Sequence, residues 1–403
     1  MRLSAFDFLP SYPLPPNPVL LFGLLLLAGF AGGELVQRLG LPRITGYVLI
    51  GLMLGSSGLG LVDTRLASEA SMFVNIGLGI VLFELGRRLD LRWLWRDRWF
   101  AATALAESAL SFFFIYGALA WFGIQPLHAA IAAAIGVATS PAVVMLVAQE
   151  LRAEGQVTER ALNLVAINSV AAFVLATMLL SWLHHEHRAS WLTMLLHPAY
   201  LLGASLVIGY VASGATILLA RWIGKREERQ LVMLLAMIVL AIGCAAALEL
   251  SVMLALLAFG VASRNLDRKH DVMQVNISHV GQIFFVVLFV VTGAILNVSH
   301  LIAGGAMALV YIAARFIGKA IGILSLAHLS GIRAGSGGLL CLALTPMSGL
   351  AIEMMHRTTR LYPEFGASLA PIVLSAVLVL ELIGPIAVQF ALRKAGEAPE
   401  AGK

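Results

Sequence analysis

The chain has 403 residues, 60% of them hydrophobic and 12% charged, with a net charge of +5. Soluble domains carry roughly 25% charged and 45–50% apolar residues, so a water-soluble fold has no room to bury this much apolar surface, and lipid is the solvent that makes the composition sensible. The positive balance does not point to nucleic acid, because the basic residues lie in short loops between long apolar runs; they read as orientation signals.

A bilayer core of about 30 Å needs roughly 20 helical residues at about 1.5 Å each. Runs that meet this test lie near 19–38, 44–62, 70–88, 99–123, 127–149, 160–184, 196–220, 230–248, 250–264, 279–297, 301–327, 336–356 and 367–392. They predict an all-α integral membrane protein with thirteen transmembrane helices in one domain over 19–393, flanked by a short external tail (1–18) and a short cytoplasmic tail (394–403). The first run lacks a basic leader and reaches Glu34 and Arg38, so it reads as a retained helix rather than a cleaved signal. The ninth run is short, and if it spans it must follow the eighth through a tight turn near Glu249.

Lys and Arg accumulate on the cytoplasmic side of membrane proteins. With the N-terminus outside, the inward segments collect Arg87, Arg88, Arg92, Arg96, Arg98, Lys225, Arg226, Arg264, Arg393 and Lys394 among others, whereas the outward ones hold only Arg2, Arg65, Arg188, Arg357 and Arg360. This asymmetry predicts an outside N-terminus, an inside C-terminus and a multi-pass protein of a bacterial-type cell membrane. Cys244 and Cys341 sit in apolar stretches far from other ligands, so no disulfide, metal site or cofactor is expected.

Two runs are interrupted near their middles. The fifth reads Gly136-Val-Ala-Thr139-Ser140-Pro141, and the twelfth, seven helices later, reads Ala343-Leu-Thr345-Pro346-Met-Ser348-Gly349. A single interruption of this kind is an ordinary proline kink. Two of similar chemistry at this spacing predict inverted repeats, about 19–184 and 230–392, linked by a helix at about 196–220. Broken backbone at membrane depth is tolerated only where protein or a watery cavity satisfies the freed groups.

These residues resemble the monovalent cation:proton antiporter family, in particular its second, largely bacterial branch of sodium/proton and potassium/proton exchangers. The likeness spans nearly the whole chain: Leu39-Gly-Leu-Pro42 with Gly46-Tyr47 and Gly51-Leu-Met-Leu-Gly55, then Val81-Leu-Phe83-Glu-Leu-Gly86 with Leu89-Asp90-Leu91, the Ala138-Thr139-Ser140-Pro141 break, and Phe284-Phe285 with Gly293 and Leu296. The resemblance implies a core of helices four, five, six, eleven, twelve and thirteen moving against a panel that makes a homodimer contact. It also implies an acidic or amide–aspartate pair on the sixth helix. Here that stretch reads Leu164-Val-Ala-Ile-Asn168-Ser169, and neither Asn nor Ser exchanges a proton near neutral pH.

Another acid must then carry the proton. An ionisable residue near mid-bilayer costs at least about 2.5–3.5 kcal/mol and calls for a partner or a function. Glu107, Ser169, Lys319 and Glu381 count to roughly 10–17 Å from the cytoplasmic side, and Arg315 lies one turn from Lys319 on the same face. Lys319 resembles the family's basic partner of the acidic site, so Glu107 or Glu381 becomes its expected counter-ion, either as a fixed structural pair or as an exchanging one. Glu34, Glu84, Glu249 and Glu353 fall near helix ends and read as solvated. The cluster His184, His185 and His187 reads as outer loop, and His279 with Gln282 as a helix start.

The expected function is alternating-access exchange of a monovalent cation (Na⁺ or K⁺) for a proton, and no enzymatic activity. Thr139, Ser140 and Thr345, with carbonyls freed around Pro141 and Pro346, would coordinate the cation beside Asn168 and Ser169. An anion or small-solute carrier on the same scaffold, and a non-transporting sensor or partner subunit, are the alternatives.

Overall fold

A computed structural model describes residues 18–62, 64–186, 191–267, 271–273, 278–347 and 349–399. Every described element is a helix, and all predicted runs but the second, 44–62, coincide with one helix or a consecutive pair. The first repeat opens with α1 (Pro18–Arg38), α2 (Arg43–Leu54), the short α3 (Thr64–Glu69) and α4 (Ser71–Arg88). The six-residue α5 (Leu91–Arg96) leads into α6 (Arg98–Trp121), whose first turn is capped by Asp97 accepting from Phe100 N at 3.0 Å. Then come α7 (Pro126–Val137), α8 (Pro141–Glu150) and α9 (Gln156–Glu186).

α10 (Trp191–Ile223) covers the stretch expected to link the repeats and is followed by α11 (Glu227–Ala247) and α12 (Val252–Leu266). The tight turn expected near Glu249 is present: Glu249 takes a positive φ of 54°, and Ser251 caps α12 by accepting from Leu254 N at 3.2 Å. The second repeat closes with α13 (Ser278–Ile295), α14 (Val298–Ala327), α15 (Ala334–Ala343), α16 (Gly349–Leu361) and α17 (Pro363–Lys394).

Among the described residues, eight helical stretches are long and apolar enough to cross a membrane, and Arg43–Leu54, Val252–Leu266 and Gly281–Ile295 are shorter apolar helices. One predicted run needs correction. The span expected over 44–62 stops as a helix at Leu54, because the Gly55-Ser-Ser-Gly58-Leu-Gly60 stretch folds back, with Leu59 N donating to Met53 O at 2.7 Å and Val62 N to Leu54 O at 2.9 Å. A hydropathy sum sees apolar residues here but not the glycines that let the chain turn.

Without a hydrophobic drive between helices in lipid, association rests on close packing and internal hydrogen bonds. α1 and α2 pack with α13, and α4 and α10 pack with α12, forming one group. α14 lies along α6 and against α17, forming another that surrounds α7 and α8. Gly318 and Gly322 set the α14–α6 distance: a Cβ at Gly322 would fall 2.5 Å from Glu107 Cα, and one at Gly318 2.7 Å from Leu110 O. The span Pro126–Glu150, which holds the first break, is buried along its entire apolar window.

Candidate functional site

The two breaks meet. α7 ends at Val137, residues 138–140 are extended, and Pro141 opens α8 at a position where its missing N–H costs nothing. Ser140 N, freed by the break, donates to Pro346 O of the second break at 3.0 Å. Ser140 Oγ accepts from Val143 N at 3.4 Å, capping α8. Thr139 Oγ1 donates to Leu344 O at 3.3 Å, so the segments are joined by side chain as well as backbone.

A helix leaves its last carbonyls without intrahelical partners and carries partial negative charge at that end. α7 and α15 both deliver such ends to the crossing, and one side chain collects them. Arg315 is 1% exposed; its Nε donates to Gly136 O at 2.8 Å, Nη1 to Thr345 O at 2.8 Å and Nη2 to Ala138 O at 2.8 Å. Nη2 also lies 3.3 Å from Pro346 O, 3.4 Å from Leu344 O and 3.4 Å from Thr139 Oγ1. The planar fork of a guanidinium suits this task where a point-like ammonium does not.

One turn along, Lys319 donates to Val137 O at 3.1 Å and forms a salt bridge with Glu107. Lys319 is 1% exposed and Glu107 fully buried. One Glu107 oxygen also faces Asn168 Nδ2 at 3.5 Å, and the other accepts from Ser108 Oγ at 3.3 Å. Asn168 joins this carboxylate to the break: its Nδ2 donates to Thr139 Oγ1 at 3.1 Å, and its Oδ1 accepts from Thr139 N at 3.3 Å. Tyr311, one turn before Arg315, donates to Ala132 O at 2.9 Å, so Tyr311, Arg315 and Lys319 form one stripe of α14 against α7.

Of the two expected counter-ions, the geometry joins Glu107 to Lys319. Glu381 is also fully buried, on α17 one turn before Gly384, whose Cα faces Pro346. Several expected ligands are present but differently used. Thr345 reaches the crossing through its carbonyl, while its hydroxyl donates to Leu342 O near the end of α15. Ser169 donates to Val165 O at 2.7 Å, with Thr139 O a longer 3.5 Å away. The carbonyls expected to be free around Pro141 and Pro346 are held by Arg315, a role that the sequence reading did not assign to it.

Among the boundary acids, half-buried Glu34 pairs with half-buried Arg43 at 2.7 Å, and half-buried Glu84 accepts from Gln149 Nε2 at 3.4 Å. Glu249 and Glu353 are exposed. Ser348, His187 and residues 1–17 and 400–403 lie outside the described residues, as do the side chains of His184, His185 and His279.

Comparison with known proteins agrees with this picture. The fold resembles that of the sodium proton antiporter MjNhaP1 from Methanocaldococcus jannaschii at pH 8, with a TM-score of 0.70 at 17% identity over 94% of this chain and 97% of that one. A three-dimensional electron-microscopy map of the same antiporter gives a TM-score of 0.68 at 18% identity over 94% and 96%. At this identity the likeness speaks for the fold. Two shorter sequence matches are the Na(+)/H(+) antiporter NhaS5 of Synechocystis, 33% identical over 79 residues, and the iron transporter MagA of Paramagnetospirillum magneticum, 37% identical over 65. They cover 20% and 16% of this chain, and only 11% and 14% of those relatives. Residues 23–394 match the family described as sodium/hydrogen exchanger, transmembrane, and the chain belongs to that family.

Proposed function

We propose that this multi-pass membrane protein exchanges a monovalent cation, Na⁺ or K⁺, for a proton by alternating access, with Glu107 as the exchanging carboxylate. The carrying observation is the buried Glu107–Lys319 pair at the meeting point of the two breaks. In one state the ammonium of Lys319 neutralises Glu107. In the other an alkali cation takes its place on the carboxylate, with Asn168 and Thr139 oxygens as neutral ligands, and Lys319 gives up a proton. A buried carboxylate must keep a positive partner throughout, because an uncompensated charge in the interior is costly; this couples cation arrival to proton departure.

Arg315 has a different task. Its charge is spent on the carbonyl ends of α7 and α15, which makes it a fixed stand-in for the charge that open helix termini demand. It therefore does not supply a free basic site for an anion, which removes the main attraction of an anion carrier. Ser169 stands where the family resemblance implies an aspartate, and the carboxylate that replaces it comes from α6 rather than α9.

The same reading includes thirteen crossings, an outside N-terminus and an inside C-terminus in a bacterial-type cell membrane. It also includes a homodimer joined through the group containing α1, α2, α4, α12 and α13. Flux into proteoliposomes carrying a pH dye tests the central part. Wild-type protein should show Na⁺- or K⁺-driven proton movement and Glu107→Gln none; full exchange by Glu107→Gln would remove the proposal. Silence of the wild type under every cation and anion gradient would favour a sensor or partner subunit.

A further inference from the structure

A large cavity lies away from the charged crossing. It is a groove of about 1060 Å³ between α6 and α9 on one side and α10 and α12 on the other. Its walls are hydrocarbon, represented by Leu105, Phe112, Val170, Val174, Leu257 and Val261. Leu105 and Phe113 on one rim and Val207 and Tyr210 on the other are strongly exposed, so the groove opens sideways.

Apart from Tyr210 on the exposed rim, its polar lining side chains are turned away. Ser108 Oγ donates to Glu107, Asn265 Nδ2 donates to Leu89 O at 3.0 Å and Val261 O at 2.8 Å, and Asn265 Oδ1 accepts from Leu91 N at 3.1 Å. Water needs two to four polar partners to reside in a cavity, and inside the rim that carries Tyr210 these walls offer none to spare. At membrane depth the available occupant is an acyl chain.

The end of the groove adds a second requirement. Leu89, Leu91 and Leu266 line it there, and Leu91 is the first residue of α5, pinned to α12 by Asn265. α5 reads Leu-Arg-Trp-Leu-Trp-Arg, an apolar and aromatic helix of the kind found at a membrane surface. Arg92 and Arg96 on α5 and Arg98 just beyond are exposed. An apolar slot lined at Leu91, the first residue of a helix that carries the exposed Arg92 and Arg96 and is followed by the exposed Arg98, matches one kind of molecule in both halves.

We infer that this groove is a binding site for an anionic glycerophospholipid, with one acyl chain between α6/α9 and α10/α12 and its phosphate on the arginines at α5. The site stands independently of the transport reading. If the two helix groups do move against each other, the chain sits in the space that this movement must change.

Photo-crosslinking tests it. The full-length protein is reconstituted in phosphatidylcholine vesicles containing a small fraction of either phosphatidylglycerol or phosphatidylcholine with the same diazirine-bearing acyl chain, and labelled peptides are mapped. The phosphatidylglycerol probe should label α9 and α12 around Val170 and Val261 more strongly than the phosphatidylcholine probe. The surface double variant Arg92→Ala/Arg96→Ala should weaken that labelling by about fivefold per arginine removed. Ala171→Phe or, separately, Ala262→Phe should abolish groove labelling while leaving that of the exposed face of α14 at Ile302 and Leu309. Equal labelling by both probes with no effect of the arginine variant would overturn the site, as would groove labelling that survives both fillings.

Discussion

The two repeats place opposite chemistry at corresponding positions. By element order, α6 corresponds to α14, the broken pair α7/α8 to α15/α16, and α9 to α17. On α6 the buried charge is Glu107, and α14 buries two cations, Arg315 and Lys319, of which Lys319 pairs with Glu107. On α9 the crossing is met by the neutral Asn168 and Ser169, whereas α17 buries a second acid, Glu381. The broken helices differ as well. α8 is buried over nearly all its length, while α16 carries the exposed Glu353 and His356. A repeated backbone can therefore supply matched openings, but function depends on where the copies stopped matching. The buried cations on α14 have no twin on α6, and that inequality makes a site from a symmetric scaffold.

The comparison breaks most severely at Arg315. Arg315→Met would leave the carbonyls of both helix ends without donors, and removing one member of a buried charged arrangement typically costs about 3–5 kcal/mol. Little folded protein should survive extraction, as size-exclusion chromatography would report, and Arg315→Lys should recover only part of the loss because one ammonium cannot span both carbonyl groups. Glu107→Gln is next. It should abolish exchange in proteoliposomes, with a smaller stability change, because the amide keeps the shape and part of the hydrogen bonding.

Gly322→Val separates the same pair by sterics. Its side chain would meet the backbone of Glu107, and overpacking typically costs about 1–3 kcal/mol. Thermal unfolding should show that loss together with reduced exchange. Two smaller effects sharpen the comparison between α9 and α17. Glu381→Gln should retain most exchange, since Glu107 holds Lys319. Ser169→Asp should raise exchange modestly by returning a carboxylate to α9; flux equal to wild type would mean that position no longer faces the ion.

Much of this was legible in the amino-acid sequence. Long apolar runs, the two Thr/Pro/Gly interruptions and the need of Lys319 for an acid follow from the cost of burying polar groups in lipid. The choice between Glu107 and Glu381 did not follow, because both lie on core helices at similar depth and only helix rotation decides which one meets Lys319. A clue was nevertheless present: Gly318 and Gly322 flank Lys319 at the four-residue spacing that allows backbones to approach, and α6 is the helix that fills the space. The capture of carbonyls by Arg315 left no such mark, since backbone acceptors exist at every position. The early end of α2 was hidden for a related reason, as glycine turns contribute little to an averaged hydropathy.

The central claim is that a cation and the ammonium of Lys319 compete for the Glu107 carboxylate. Proton release on adding NaCl or KCl to weakly buffered, detergent-purified protein measures that competition directly. Wild-type protein should acidify the medium in a saturable manner, and Glu107→Gln should release nothing above the dilution signal. Equal release from the two proteins would contradict the claim and move the exchanging group elsewhere.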